Sequence, residues 1–351
     1  MQYYVVDPFL NAGETLVMVN DQHNLSSEIS SKVERLTRLY AFSELAKTSL
    51  LAESENKVYL VEDESCIKNY VVRVNSGRLK YHTTDQVKSE MMWLRALHKD
   101  TDINVPEVLP ARDGSWVQDI FVSGLGKPLH AVVYSFLDGH EPSEDDLVAG
   151  FERLGEISAQ MHSFSKGWTP PNDFQRPSWT ADAIFNDDLN WGRWQNGIDV
   201  DGMVLALVSE TEEVVRRRLE EIPTGTDYYG LIHADLRLAN LLVDEESTAI
   251  IDFDDCGFGW FLFDLATALS FLEEREDVQD LIKSWLVGYR KVAQIPAGSD
   301  LIIPTLIMLR RIQLIGWLGY QQKHLEFARQ IGHQFTSDSL KLARGYLNRF
   351  G

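Results

Sequence analysis

Residues 231–259 read LIHADLRLANLLVDEESTAIIDFDDCGFG, and the fold is decided there. Residues 241–243 and 248–251 are short apolar, strand-like runs joined by the acidic turn Asp244-Glu245-Glu246. A hairpin of this kind sends its flanks, 233–240 and 252–255, out of the same end. Asp235, Asn240 and Asp252 then meet in space, although the outer two stand 17 positions apart. One aspartate can take a proton from an attacking hydroxyl, while an asparagine oxygen and a second aspartate hold Mg²⁺ against a polyphosphate. Phosphoryl transfer needs that set, because it depends on positioning and on neutralising oxygen charge.

Each residue also has a plainer reading. Asp235 could cap the following turn, and Asn240 could bond only to nearby backbone. Asp252 follows Ile250-Ile251, where a carboxylate is costly without a hydrogen-bond partner or a metal. His233 reads as a structural hydrogen-bonding histidine, since Asp235 already fills the role of base. Asp254-Asp255 fits a solvated turn and the acidic wall of a cleft equally well.

Working outward, the chain has 351 residues, 44% of them hydrophobic and 25% charged, an ordinary globular composition. Its 53 acidic and 33 basic side chains leave a formal charge of −20, which disfavours nucleic acid and anionic membranes as partners. Cys66 and Cys256 are far apart and read as small buried hydrophobes in a reducing compartment. The N-terminus lacks a basic segment followed by an apolar run, and no stretch of about 20 apolar residues exists. Cytoplasm is the default expectation.

A helix is predicted over 25–52, with Ile29, Val33, Leu36, Leu39 and Tyr40 at helical spacing. Strands are predicted at 57–62 and 69–75, a helix at 84–97, and two strands within 115–137 around the turn at Gly124 to Pro128. A further helix is placed near 145–164. Residues 165–202 hold four tryptophans (Trp168, Trp179, Trp191 and Trp194) and read as an irregular, aromatic-anchored insertion. Helices are predicted over 202–221 and from 278 to the C-terminus. The pattern is an α+β chain with a small mixed half, 1–137, and a larger, mainly helical half, 138–351, forming one unit around a cleft.

HADLRLAN, then IDFDD, then FDLA resembles the catalytic and metal-binding motifs of the aminoglycoside phosphotransferase family, which includes choline, ethanolamine and homoserine kinases and a stress-response protein kinase. The general kinase pattern H-R-D-L-x-x-x-N is matched by His233, Asp235, Leu236 and Asn240, with Ala234 replacing arginine. The resemblance implies a protein-kinase-like two-lobed fold with an antiparallel sheet in the nucleotide-binding lobe, 1–137, and a helical catalytic and substrate-binding lobe, 138–351. It implies ATP and Mg²⁺ as cofactors, Asp235 as base, and Asn240 and Asp252 as metal ligands. Asp264 in FDLA corresponds to a structural acid that anchors a loop or helix start.

The resemblance also demands a cationic residue on the ATP phosphates and a helix glutamate to hold it. Arg73 in YVVRV and Glu90 in VKSEMMWL, 17 residues apart, fill those places. Arginine stands where lysine is usual, and the two are not interchangeable at a phosphate site. Neither a glycine-rich loop nor a Walker A motif is present, which leaves residues 54–57 to cover the phosphates. The strand end at 133–137, with Tyr134 and Phe136, is where the adenine edge is expected.

The expected acceptor is a hydroxyl of a small molecule, among amino alcohols, hydroxy-amino acids and amino sugars. A protein serine or threonine acceptor stays open, as does a weakly catalytic nucleotide-binding regulator. The tryptophans beside Asp187 and Asp188 suit an ammonium group. Arg310 and Arg311 either suit a substrate carboxylate or pair with Asp254 or Asp255.

Overall fold

The computed structural model describes residues 19–65, 68–142, 147–244 and 247–351. Cys66 and the predicted helix start at Asp145 lie outside the described residues. The chain divides into two compact units, one of Met1–His140, Pro171–Gln175 and Leu242–Ile251, the other of Glu141–Pro170, Arg176–Leu241 and Asp252–Gly351.

The first unit contains α1 (Val19–Leu36), β1 (Lys47–Glu53), β2 (Lys57–Asp63), β3 (Lys68–Val74), α2 (Thr84–Asp100), β4 (Val117–Ile120) and β5 (Leu129–Ser135). The strands form one antiparallel sheet in the order β1-β2-β3-β5-β4. Alternation along β3 sends Val72 and Val74 into a core shared with Tyr59, Val61, Ala131 and Val133, where Ile29, Val33 and Leu36 of α1 cover them. It turns Arg73 to the opposite face, and the register places Arg73 beside Val58 on β2 and Val132 on β5.

The predicted helix over 25–52 does not survive as one element. It ends at Leu36, a 3₁₀ turn follows to Leu39, and residues 47–53 form strand β1 instead. The ladder running from Lys47 opposite Glu62 to Glu53 opposite Lys57 outweighs local helix propensity. Asp63 fixes the turn into that strand. Its carboxylate accepts from the backbone N–H of Ser43 at 2.8 Å and from the hydroxyls of Ser43 and Ser65, both at 2.7 Å. These bonds, led by the Ser43 amide, hold the Asp63 carboxyl well below the ordinary range.

The rest of the chain supplies α3 (Leu147–Gly167), α4 (Ala181–Phe185), α5 (Gly202–Glu220) and β6 (Tyr229–Ile232). The hairpin pair β7 (Leu241–Val243) and β8 (Thr248–Ile250) follows, then β9 (Gly257–Trp260), α6 (Phe263–Ala268), α7 (Val278–Val292), α8 (Ile303–Gln321) and α9 (Glu326–Phe350). β7 and β8 pair with each other, as the sequence predicts, and β6 pairs with β9. β9 has no counterpart in the sequence reading, because GFGW carries two glycines where a strand signal would need side chains. Among the described residues no helix is long and apolar enough to cross a membrane.

Helices α3 and α7 meet backbone to backbone. A Cβ on Gly155 would lie 2.0 Å from the Trp285 carbonyl oxygen, and one on Gly288 would lie 1.9 Å from that of Glu152. Gly155→Ala and Gly288→Ala should each therefore destabilise the protein, by about 1–3 kcal/mol from overpacking, despite the ~1 kcal/mol that alanine gains in helix propensity. Denaturant unfolding of the two variants checks this, and stability equal to wild type would contradict the tight crossing.

Candidate active site

Strand β6 ends at Ile232, and the chain turns sharply through His233, Ala234 and Asp235. Ala234 sits in the left-handed region, at φ 65°, a conformation that a non-glycine residue holds only when its surroundings enforce it. The enforcement comes from Asp264 in the first turn of α6. Its fully buried carboxylate accepts the backbone N–H of Ala234 at 2.8 Å and that of His233 at 3.2 Å. A third contact joins it to His162 Nε2 at 2.9 Å, and the other nitrogen of that ring lies 3.1 Å from the Tyr289 hydroxyl. Burial and the neighbouring Asp264 raise the Tyr289 phenol. Asp264 thus anchors the loop, as its motif suggests. His233 is fully buried, packs its ring 4.7 Å from Phe253, and accepts the Asp235 N–H at Nδ1.

Three side chains bond the Asp235 carboxylate. Asn240 donates its amide N–H to the Asp235 backbone oxygen at 2.8 Å and to Oδ2 at 3.2 Å. Arg237 Nε donates to Oδ2 at 3.3 Å, and Arg310 Nη2, from α8, donates to Oδ1 at 2.5 Å. Burial pushes the Asp235 carboxyl up, but Arg237, Arg310 and His233 outweigh it and leave the group below its ordinary value. Arg237 is raised, chiefly by Asp235 and further by the charges of Asp252 and Asp255. Arg310 is lowered by burial.

Asp252 is itself left-handed, at φ 65°, ψ 64°, and heads a 3₁₀ turn over Phe253–Asp255. Two side chains of the tryptophan-rich segment pin that turn. Arg176 donates to the carbonyl oxygens of Asp254 and Cys256, and Trp179 Nε1 donates to that of Asp255 at 2.9 Å. Asp252 is exposed and Asp255 half-buried, but Asp254 is buried, which rules out a solvated turn for it. With its N–H spent on Asp235, Asn240 offers its amide oxygen, and Asp252 offers a carboxylate. These are hard oxygen donors of the kind Mg²⁺ takes alongside waters and phosphates. No group of three or more His, Cys, Asp or Glu able to hold a metal occurs among the described residues.

In the first unit, Arg73 and Glu90 meet as a two-pronged pair, Nη1 to Oε1 at 2.8 Å and Nη2 to Oε2 at 2.7 Å. Glu90 is fully buried. The Tyr134 side chain turns toward this pair, its hydroxyl 3.4 Å from Glu90 and its ring 5.8 Å from the Arg73 guanidinium. The N–H groups of Ser135 and Phe136 are already donated, to Glu107 and Asn69 oxygens respectively. In the turn between β1 and β2, Glu55 pairs with Arg78 and Lys57 with Glu53.

The sequence reading missed two groups at Asp235. Arg237 lies inside HADLRLAN but had no role assigned to it. Arg310 reads from sequence as a partner for a substrate carboxylate or for Asp254 or Asp255, whereas its carboxylate partner is Asp235. Arg311 points elsewhere, pairing with Glu273 at 2.7 Å and bonding Ser339 and the Phe335 oxygen. Of the tryptophans, Trp191 lies beneath the Arg310 guanidinium at 5.2 Å, with Trp179 edge-on to it. Trp194 bonds Glu212 and serves as a packing anchor.

Fold and site together define a kinase-like phosphotransferase. The chain belongs to the phosphotransferase enzyme family (APH), whose sequence pattern matches residues 48–295. Amicoumacin kinase of Bacillus subtilis (strain 168) is 26% identical over 295 residues, 80% of this chain and 81% of that protein. The structure of a microcompartment-associated aminopropanol kinase is 38% identical, with a TM-score of 0.82 over 92% of this chain and 98% of the other. An amicoumacin kinase in complex with AMP-PNP, Ca²⁺ and Ami is 21% identical, with a TM-score of 0.74 over 92% and 96% of the two chains, a likeness of fold. The protein is accordingly a phosphotransferase whose acceptor is a hydroxyl.

Proposed function

We propose that the protein transfers the γ-phosphoryl group of ATP, with Mg²⁺, to the hydroxyl of a small amino alcohol, with Asp235 as the base. The observation that carries this reading is the Asp235 carboxylate, held by Asn240 on a loop that Asp264 anchors. Asp235 accepts the acceptor's proton as its oxygen bonds to phosphorus and ADP departs with the electrons of the broken P–O bond. Asn240 and Asp252 hold the cation, which when bound neutralises phosphate charge. Arg73, aligned by Glu90 and Tyr134, bonds the phosphates from 1–137, and backbone at and beyond Phe136 meets the adenine. Residues 138–351 supply the base and the acceptor site.

An amino alcohol is favoured over hydroxy-amino acids on two counts, and over amino sugars on the first of them. The 38% identical relative is an aminopropanol kinase. With Arg310 spent on Asp235 and Arg311 on Glu273, neither arginine of α8 is available to a substrate carboxylate.

Product mass from Mg²⁺-dependent ATP turnover over a panel of all three acceptor classes tests the proposal. Equal turnover by wild type, Asp235→Ala and Asp252→Ala would sink the mechanism. On the nucleotide side, Glu90→Gln leaves Arg73 without its counter-charge and should raise KM for ATP by roughly tenfold, with a smaller effect on KM for the acceptor. Initial rates against ATP concentration measure it.

A further inference from the structure

The two arginines on Asp235 are held very differently. Arg310 has a side chain only 2% exposed and is fixed on every side. Nε donates to the Ser270 hydroxyl at 3.0 Å, Nη1 to Gln313 Oε1 at 3.2 Å, and Nη2 to Asp235 Oδ1 at 2.5 Å, above the Trp191 ring. Trp191 is in turn locked to α8. A Cβ on Gly316 would lie 2.2 Å from the Gly192 oxygen, and Asp187 Oδ1 accepts the Gly192 N–H at 2.9 Å. Arg237, by contrast, has a side chain 34% exposed and reaches Oδ2 through one long bond of 3.3 Å. Withdrawing Arg310 would strand a buried charge, whereas Arg237 can exchange Asp235 for water or for another acid at little cost.

We propose that Arg310 positions the base: it fixes Oδ1 of Asp235 permanently, so that Oδ2 takes the acceptor's proton once Arg237 gives way. The inference rests on the role of Asp235 proposed above. As the acceptor O–H bond breaks and the O–P bond forms, the proton passes to Oδ2, while Oδ1 stays on the guanidinium. Arg237 then lies among Asp252, Asp255 and the incoming phosphates, where its charge remains matched. Arg310 acts through Asp235 and is a positioning residue. A planar fork is required, because an ammonium cannot reach Ser270, Gln313 and Asp235 together.

Steady-state kinetics and melting of Arg310→Lys, Arg310→Ala and Arg237→Gln decide the matter. Arg310→Lys should lose ~10- to 100-fold in kcat, with both KM values within about threefold of wild type and melting little changed. Methylguanidinium should restore part of the kcat of Arg310→Ala, and Arg237→Gln should lose less kcat than Arg310→Lys. An Arg310→Lys enzyme with wild-type kcat overturns the proposal, as does an Arg237→Gln enzyme more impaired than Arg310→Lys. Should Arg310→Ala not fold, the lysine variant decides alone. Asp235→Asn separates the two levels. If it is inactive beside a fully active Arg310→Lys, only the positioning role falls; if it is fully active, the base assignment falls with it.

Discussion

Asp235→Asn is expected to reduce kcat by about 10²- to 10⁴-fold, the usual worth of a general base, while KM for ATP stays near wild type. The substitution keeps shape and one acceptor oxygen for Arg310 but removes the negative charge that accepts the proton in the proposed mechanism. It also leaves a buried guanidinium without its counter-charge, so some stability is lost with activity. The same contacts fix the pH behaviour. Burial raises the Asp235 carboxyl, and Arg237 and Arg310 more than reverse this, so its folded value lies below its unfolded one of about 4. Asp235 is then ionised throughout the neutral range, and its contribution to stability is present above about pH 4 and lost as pH falls through the lower, folded value. A kcat profile that declines between pH 7 and 5 and reports a group absent in Asp235→Asn would contradict this ordering.

The second large effect falls on stability. Asp264→Ala should cost about 3–5 kcal/mol, the range for breaking a buried, charge-bearing network. Three donors lose their acceptor in a site closed to water: the N–H groups of His233 and Ala234, and His162 Nε2. The left-handed Ala234 then has nothing to hold it, and Asp235 loses its placement, so activity should fall with stability. Asp264→Asn retains one acceptor oxygen but aims an amide N–H₂ at donors, and should fall between the two. Denaturant midpoints at constant slope measure the series, and an alanine variant within ~1 kcal/mol of wild type would mean that the loop is held by something else.

How much was legible depended on how local each relation was. The bond between Asn240 and Asp235 follows from a few residues of loop, and the paired strands of 241–250 from a short turn, so spacing alone sufficed. Arg73 and Glu90 meet because a strand and the next helix bring them together, a step that a family resemblance could supply. The helix predicted through 52 failed where register with β2 took over, a pairing that helical periodicity does not encode. β9 was hidden by its glycines, which give no alternation to read.

The sequence by itself determined the side chains of the proposed site: two aspartates and an asparagine at short spacing, with an arginine and a glutamate upstream. Only the tertiary structure decided which cations attend Asp235. Arg310 lies 75 residues beyond Asp235, on a helix in which fifteen of nineteen residues are buried. A helix buried all round carries no apolar stripe to say which side faces the site. Its rotation is set instead by close backbone contact with the segment carrying Trp191, at Gly192 against Gly316 and at Gly197 against Gly319. Those contacts turn Arg310 onto Asp235 and Arg311 away from it, a choice between adjacent residues that packing makes and local sequence does not.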